Sequence, residues 1–118
     1  MRTTDYEQPG PTREEIDATK GALVLEFGTA WCGYCEAAQP CIAAALAEHS
    51  QVIHRKIEDG PGHALGRSFR VKLWPTLIVL NDGRELGRVV RPTSAEEVRS
   101  ALAVIGQSEN GGGGAGRS

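Results

Sequence analysis

At 118 residues with 40% hydrophobic residues, the chain is long enough for one domain with a real core and too short for two. A formal net charge of -2 offers no basic field to a phosphate backbone, and the longest apolar run, Ala22-Leu23-Val24-Leu25, stops far short of the ~20 residues that span a bilayer. Nucleic acid and membrane are therefore not expected partners. No apolar signal segment is visible after Met1, and three cysteines are too few for a disulfide scaffold, so a reducing, cytoplasmic setting is expected.

Residues 1–10 lack periodicity and carry Pro9 and Gly10, which predicts a loosely ordered segment ahead of a domain spanning 11–106. Thr12 and Glu15 have capping-box spacing, and Ile16 opens an apolar face for a helix over 12–19 that Gly21 ends. Ala22 to Phe27 is a continuous apolar run, the pattern of a strand buried on both faces. Glu26 is its anomaly. Such a strand has no solvent face, so burial is expected to raise the carboxyl's pKa and to demand a partner. A purely structural ion pair is the other reading of the same residue.

A short loop, Gly28-Thr29-Ala30, then delivers Trp31-Cys32-Gly33-Tyr34-Cys35 to the start of an alanine-rich helix that runs to about Glu48 and contains Pro40. Two thiols separated by two residues at a helix start can close a disulfide without backbone movement. Unpaired amides and the helix dipole favour a thiolate at the first of them, Cys32, by ~0.3–2 kcal/mol. The stretch is placed to make and break disulfides. The rival is a pair of metal ligands, but zinc needs four, and Cys41, His49, His54 and His63 supply no second close pair, so no metal is expected. Cys41, six residues past Cys35 and on another side of the helix, reads as a buried structural thiol. The three histidines show no motif spacing and read as surface residues.

Gln51 to Ile57 predicts a second strand, carrying Lys56 and parallel to the first because a helix crosses between them. A turn at Asp59-Gly60-Pro61-Gly62 leads to a short helix over 63–69. Trp74-Pro75-Thr76 opens the strand Leu77 to Leu80, with proline where it spares the ladder. Asn81-Asp82-Gly83-Arg84 is a hairpin turn into an antiparallel strand through Val90, so the sheet of about four strands is mixed. Ser94 and Glu97 predict a capping box on a final helix through about Ile105, ended by Gly106. Gln107 to Ser118, with four consecutive glycines, reads as a flexible tail.

The order β-α-β-α-β-β-α, with the cysteine pair after the first strand and a proline before the third, resembles the thioredoxin family. The resemblance runs from about Ala22 to Leu102 and includes Trp31-Cys32-Gly33-Tyr34-Cys35, Pro40, Lys56 and Trp74-Pro75-Thr76. It implies an α/β, three-layer thioredoxin-like fold with a central mixed sheet flanked by helices. It implies that Cys32 is the exposed nucleophile, Cys35 the resolving thiol, and Pro75 a cis proline packed against the pair. A buried acid matched by Glu26, where the family usually has Asp, is implied to move protons to and from Cys35, with Lys56 as its partner. Trp31, Gly33, Tyr34, Trp74, Pro75, Thr76 and Arg91 fall on the implied substrate-binding surface.

Departures bear on substrate choice. Tyr34 stands where thioredoxins proper have proline, and Cys-Gly-Tyr-Cys looks more like a disulfide isomerase motif. Trp74 replaces a small aliphatic residue or threonine, and its place before Pro75 predicts an exposed, substrate-facing aromatic. Arg91-Pro92 stands where a glycine is common, and no clear first strand precedes the initial helix. The function implied is thiol–disulfide exchange on protein disulfides, chiefly reduction, by a monomer that needs no cofactor and is re-reduced by a dithiol or flavoprotein reductase. Isomerisation or oxidation, and a non-turnover binding module that holds clients through Trp31, Trp74 and Arg91, are the rivals.

Overall fold

A computed structural model describes residues 5–113 of the protein. Thr12 is extended and its hydroxyl accepts from the Glu15 amide at 3.1 Å, while the Glu15 carboxylate accepts from the Thr12 amide at 2.9 Å. That capping box starts α1 (Arg13–Asp17) where its spacing predicts. β1 (Ala22–Gly28) follows, buried at every residue. Next come α2 (Gly33–Leu46), β2 (Ile53–Glu58), α3 (Ala64–Ser68), β3 (Thr76–Asn81), β4 (Arg84–Val90) and α4 (Ala95–Gly113). The sheet order is β2-β1-β3-β4, with β1 parallel to β2 and the other neighbours antiparallel. Asp82 and Gly83 both have positive φ, 53° and 81°, as a tight hairpin turn between twisted strands requires.

Alternation along β1 divides the core into two. Leu23, Leu25 and Phe27 pack with Ile16 of α1, Leu65 of α3 and Phe69. Ala22 and Val24 face the other way, against Ala38, Ile42 and Ala45 of α2 and Val98, Leu102 and Ile105 of α4. The result is three layers. Glu26 shares the parity of Ala22 and Val24, so its side chain enters the sheet's α2 face.

Two local readings are corrected. The segment ahead of α1 is tied down: the Glu7 amide donates to Lys56 O at 2.8 Å, and the Glu58 amide to Glu7 O at 3.1 Å. This is a one-rung parallel bridge at the outer edge of β2, reinforced by Arg55, which forks onto the Glu7 carboxylate at 2.8 and 2.6 Å. Residues 1–4 of the segment lie outside the described residues. At the far end, the Ser94 hydroxyl accepts from the Glu97 amide at 3.3 Å, but the Glu97 carboxylate reaches back to Thr93 rather than Ser94. α4 then runs past Gly106 to Gly113. A glycine inside a helix costs about 1 kcal/mol against alanine without removing a ladder hydrogen bond, so it need not end one. The remainder of the expected tail, 114–118, lies outside the described residues.

Candidate active site around the cysteine pair

Cys32 takes an extended conformation as the N-cap of α2, and its sulfur accepts from the Cys35 amide at 3.2 Å. Both thiols are free and both are covered, Cys32 at 8% exposure and Cys35 at 1%, so Cys32 is less open than the resemblance implies. The helix start that supplies the amide donor also draws the side chain inward. Cys35 sits deeper. Burial pushes its thiol up to about 11, with Cys32 as a hydrogen-bond partner acting in the same direction and the Thr29 backbone opposing. One sulfur is thus capped by an amide, and the other is held as a thiol.

Beneath Cys35 lies Glu26, fully buried as expected. Its Oε1 accepts from His54 Nε2 at 2.8 Å, and its Oε2 from Gln39 Nε2 at 2.8 Å and the Tyr6 hydroxyl at 3.4 Å. Burial pushes the carboxyl up, but the His54 and Gln39 hydrogen bonds and the His54 and Lys56 charges outweigh it, and the net direction is below the usual carboxylate value. The expected rise is therefore reversed: burial was legible in the strand pattern and the donors were not. Lys56 is Glu26's register partner across β1 and β2. Its Nζ donates at 3.2 Å to Gln39 Oε1, so Gln39 links the lysine to the carboxylate.

His54 is 4% exposed and not the surface residue expected. The signal for it was available. It lies two residues before Lys56 on one strand, so the two share a face. Gln39 likewise lies one turn after Cys35 and donates to the Cys35 carbonyl at 2.8 Å. Tyr6 carried no local signal at all. Cys41 is half-buried rather than buried, its thiol donating to Ala38 O at 3.2 Å, away from the pair.

The rim is built by the residues that depart from the family pattern. The Trp74–Pro75 peptide bond is cis, and Pro75 and Thr76 are buried. Trp74 is half-buried, correcting the expected exposed aromatic: its indole N–H donates to Asp59 Oδ2 at 2.9 Å, and its ring meets Trp31 edge-on at 5.7 Å. The exposed aromatics are Trp31, at 78%, and Tyr34, at 61%. Arg91 lies at φ 51°, a region glycine enters without strain, which accounts for the glycine common at this place. Its amide donates to Pro75 O and its Nε to Trp74 O, both at 2.8 Å, and its guanidinium lies 3.8 Å over the Tyr34 ring. Gly33 opens α2 facing free space. Among the described residues no group of three or more His, Cys, Asp or Glu could hold a metal ion, and no helix is long and apolar enough to cross a membrane.

The family model described as Thioredoxin matches residues 8–104. A thioredoxin from Echinococcus granulosus is 36% identical over 73 residues, covering 62% of this chain and 68% of its own. One from Chlamydia caviae is 34% identical over 70 residues, covering 59% and 69%. The solved structure of thioredoxin 2 from Pseudomonas aeruginosa PAO1 in its reduced form superposes with a TM-score of 0.80 at 50% identity, over 89% of this chain and 98% of that one.

Proposed function

The chain belongs to the thioredoxin family of thiol–disulfide oxidoreductases, and from that premise we propose that it acts as a protein-disulfide reductase through Cys32 and Cys35. The observation that carries the reading is the inequality of the two sulfurs: Cys32 accepts an amide at the helix cap, whereas Cys35 is buried as a thiol. Cys32 thiolate attacks one sulfur of a substrate disulfide, forming a mixed disulfide and releasing one substrate thiolate, which takes a proton from water. Cys35 then loses its proton and attacks Cys32 Sγ. The mixed disulfide breaks, the Cys32–Cys35 disulfide forms and the second substrate thiol departs. Two electrons have passed to the substrate, and a dithiol or flavoprotein reductase returns them. A cytoplasmic, reducing setting suits a pair that works by such cycling.

Insulin reduction with dithiothreitol as electron source tests this. Cys32→Ser abolishes turnover, and Cys35→Ser traps the client as a mixed disulfide. An active Cys32→Ser variant would refute the assignment. Isomerisation is supported by one feature, Tyr34 in place of proline, and a protein that reactivates scrambled ribonuclease yet leaves insulin intact would favour it.

A further inference from the structure

The backbone of Gly28 passes against Cys35, and the room left by its missing side chain is filled. A Cβ built there would lie 2.5 Å from Cys35 Sγ and 3.1 Å from the Tyr6 hydroxyl. The phenol, half-buried, stands 3.4 Å from Glu26 Oε2, and with the Cys35 sulfur it borders the space a Gly28 side chain would take. Lys56 Nζ lies 4.5 Å from the centre of its ring. The neighbouring residue, Glu7, is pinned to β2 by two backbone hydrogen bonds and the Arg55 fork, so the ring is delivered by an anchored segment. Of the groups around the carboxylate, His54 holds Oε1 and Gln39 shares Oε2, and Gln39 meets Cys35 only at its carbonyl. The phenol faces the resolving sulfur across the space beside Gly28 and donates to the carboxylate.

We propose that Tyr6 is a catalytic residue that carries the Cys35 proton to Glu26. The phenol oxygen accepts the thiol proton while the phenol's own proton passes to Glu26 Oε2, leaving a thiolate and a neutral carboxylic acid. The phenol begins and ends neutral. The thiolate then attacks Cys32 Sγ, and Glu26 returns its proton to the departing substrate thiolate through solvent. No phenolate forms, because burial, with the Glu26 and Cys35 charges, pushes phenol ionisation far above its ordinary value. Glu26, held below the usual carboxylate value, is ionised at neutral pH and takes the proton uphill, transiently, as Cys35 attacks. The assignment rests on the reading that Cys32 attacks and Cys35 resolves.

Ellman's disulfide separates the two steps, since one thionitrobenzoate leaves when Cys32 attacks and a second when Cys35 resolves. Tyr6→Phe keeps the ring over Lys56 and removes the oxygen. It is expected to leave the first release unchanged and to slow the second roughly a hundredfold near pH 7, the low side of what positioned proton transfer contributes. The deficit should shrink as pH rises towards 11 and the thiol ionises unaided. Glu26→Gln should show the same second-release deficit, and the double variant should be no slower than either single one, because both changes cut one path. An unchanged second release in Tyr6→Phe, an equal slowing of both releases, or additive deficits in the double variant would each overturn the proposal. A parent protein with no second release would overturn the Cys35 reading beneath it, and the proposal with it.

Discussion

His54→Ala tests whether the buried Glu26 carboxylate is held by its donors. The side chain of Glu26 is fully buried, and its closest contacts are His54 and Gln39, each at 2.8 Å, with Tyr6 at 3.4 Å. Removing His54 deletes one hydrogen bond to a charged group, worth ~1.5–3 kcal/mol. It also leaves a cavity where a 4%-exposed ring stood, a further cost of about 1 kcal/mol. Gln39 and Tyr6 stay in place, so the total is expected near ~3 kcal/mol, the low end for breaking a buried pair. For a domain of this size that lowers Tm by roughly 12 °C. The pH dependence has a definite sign. Glu26 is held below its ordinary value of 4.5, so it contributes stability that is present above 4.5 and lost as pH falls through the folded value. Urea unfolding followed by circular dichroism should therefore show the full deficit at pH 7 and converging curves in acid, where a protonated Glu26 needs the donor less. His54→Gln, which keeps an N–H, should recover part of the loss. A deficit under about 1 kcal/mol at pH 7, or one as large in acid, would refute the electrostatic account and leave packing alone.

Two further predictions concern the thiols and the rim. Reduced protein should lose stability relative to oxidised protein between pH 9.0 and about 11: across that window the folded state binds the Cys35 proton and the unfolded state has released it, so stability falls as pH rises. Chemical unfolding of both redox forms across that range checks it, and parallel curves would contradict the burial of Cys35. Arg91→Gly should change stability by less than about 1 kcal/mol, because relief of its positive φ offsets the lost contacts with Trp74 and Tyr34. It should alter the ratio of rates on two unrelated protein disulfides while the redox potential, read against glutathione, stays put. A shifted potential with an unchanged ratio would place Arg91's effect on the cysteines instead.

What could be read from the sequence was what local chemistry fixes. The Thr12–Glu15 box, the Asp82-Gly83 turn and the continuous apolar run of β1 each depend on a few neighbouring residues, and each falls where its pattern placed it. Cys32 at a helix cap and Glu26 under a sheet face follow from the same short-range rules. His54 was missed because histidine was sought by motif spacing, whereas the relevant period is two along β2, counted from Lys56. Tyr6 could not be found that way. Its place is set by the Glu7 rung on β2, a non-local pairing within a segment that has no period of its own. The direction of Glu26's ionisation failed for a related reason, since burial is visible in a strand pattern and the groups that outweigh it come from α2 and β2.

The departures from the family pattern are matched to one another. Tyr34 lies under the Arg91 guanidinium, and Trp74 lies against Trp31 with its indole nitrogen fixed by Asp59. Asp59 in turn fits only because residue 66 is glycine: a Cβ there would run into the Asp59 carboxylate. Gly28 and Tyr6 stand in the same relation, an absent side chain and a ring that uses the space. Each large residue is therefore accommodated by a specific small or charged partner, and changing one member alone strips the other of its packing or its hydrogen bond. Effects within such a pair will not add. A single reversion towards the family pattern, such as Trp74→Ile, leaves Asp59 buried without the indole donor and exposes the face of Trp31 that Trp74 covers. The rim is one unit, and the proposed client selectivity is expected to follow the pairs rather than any one residue.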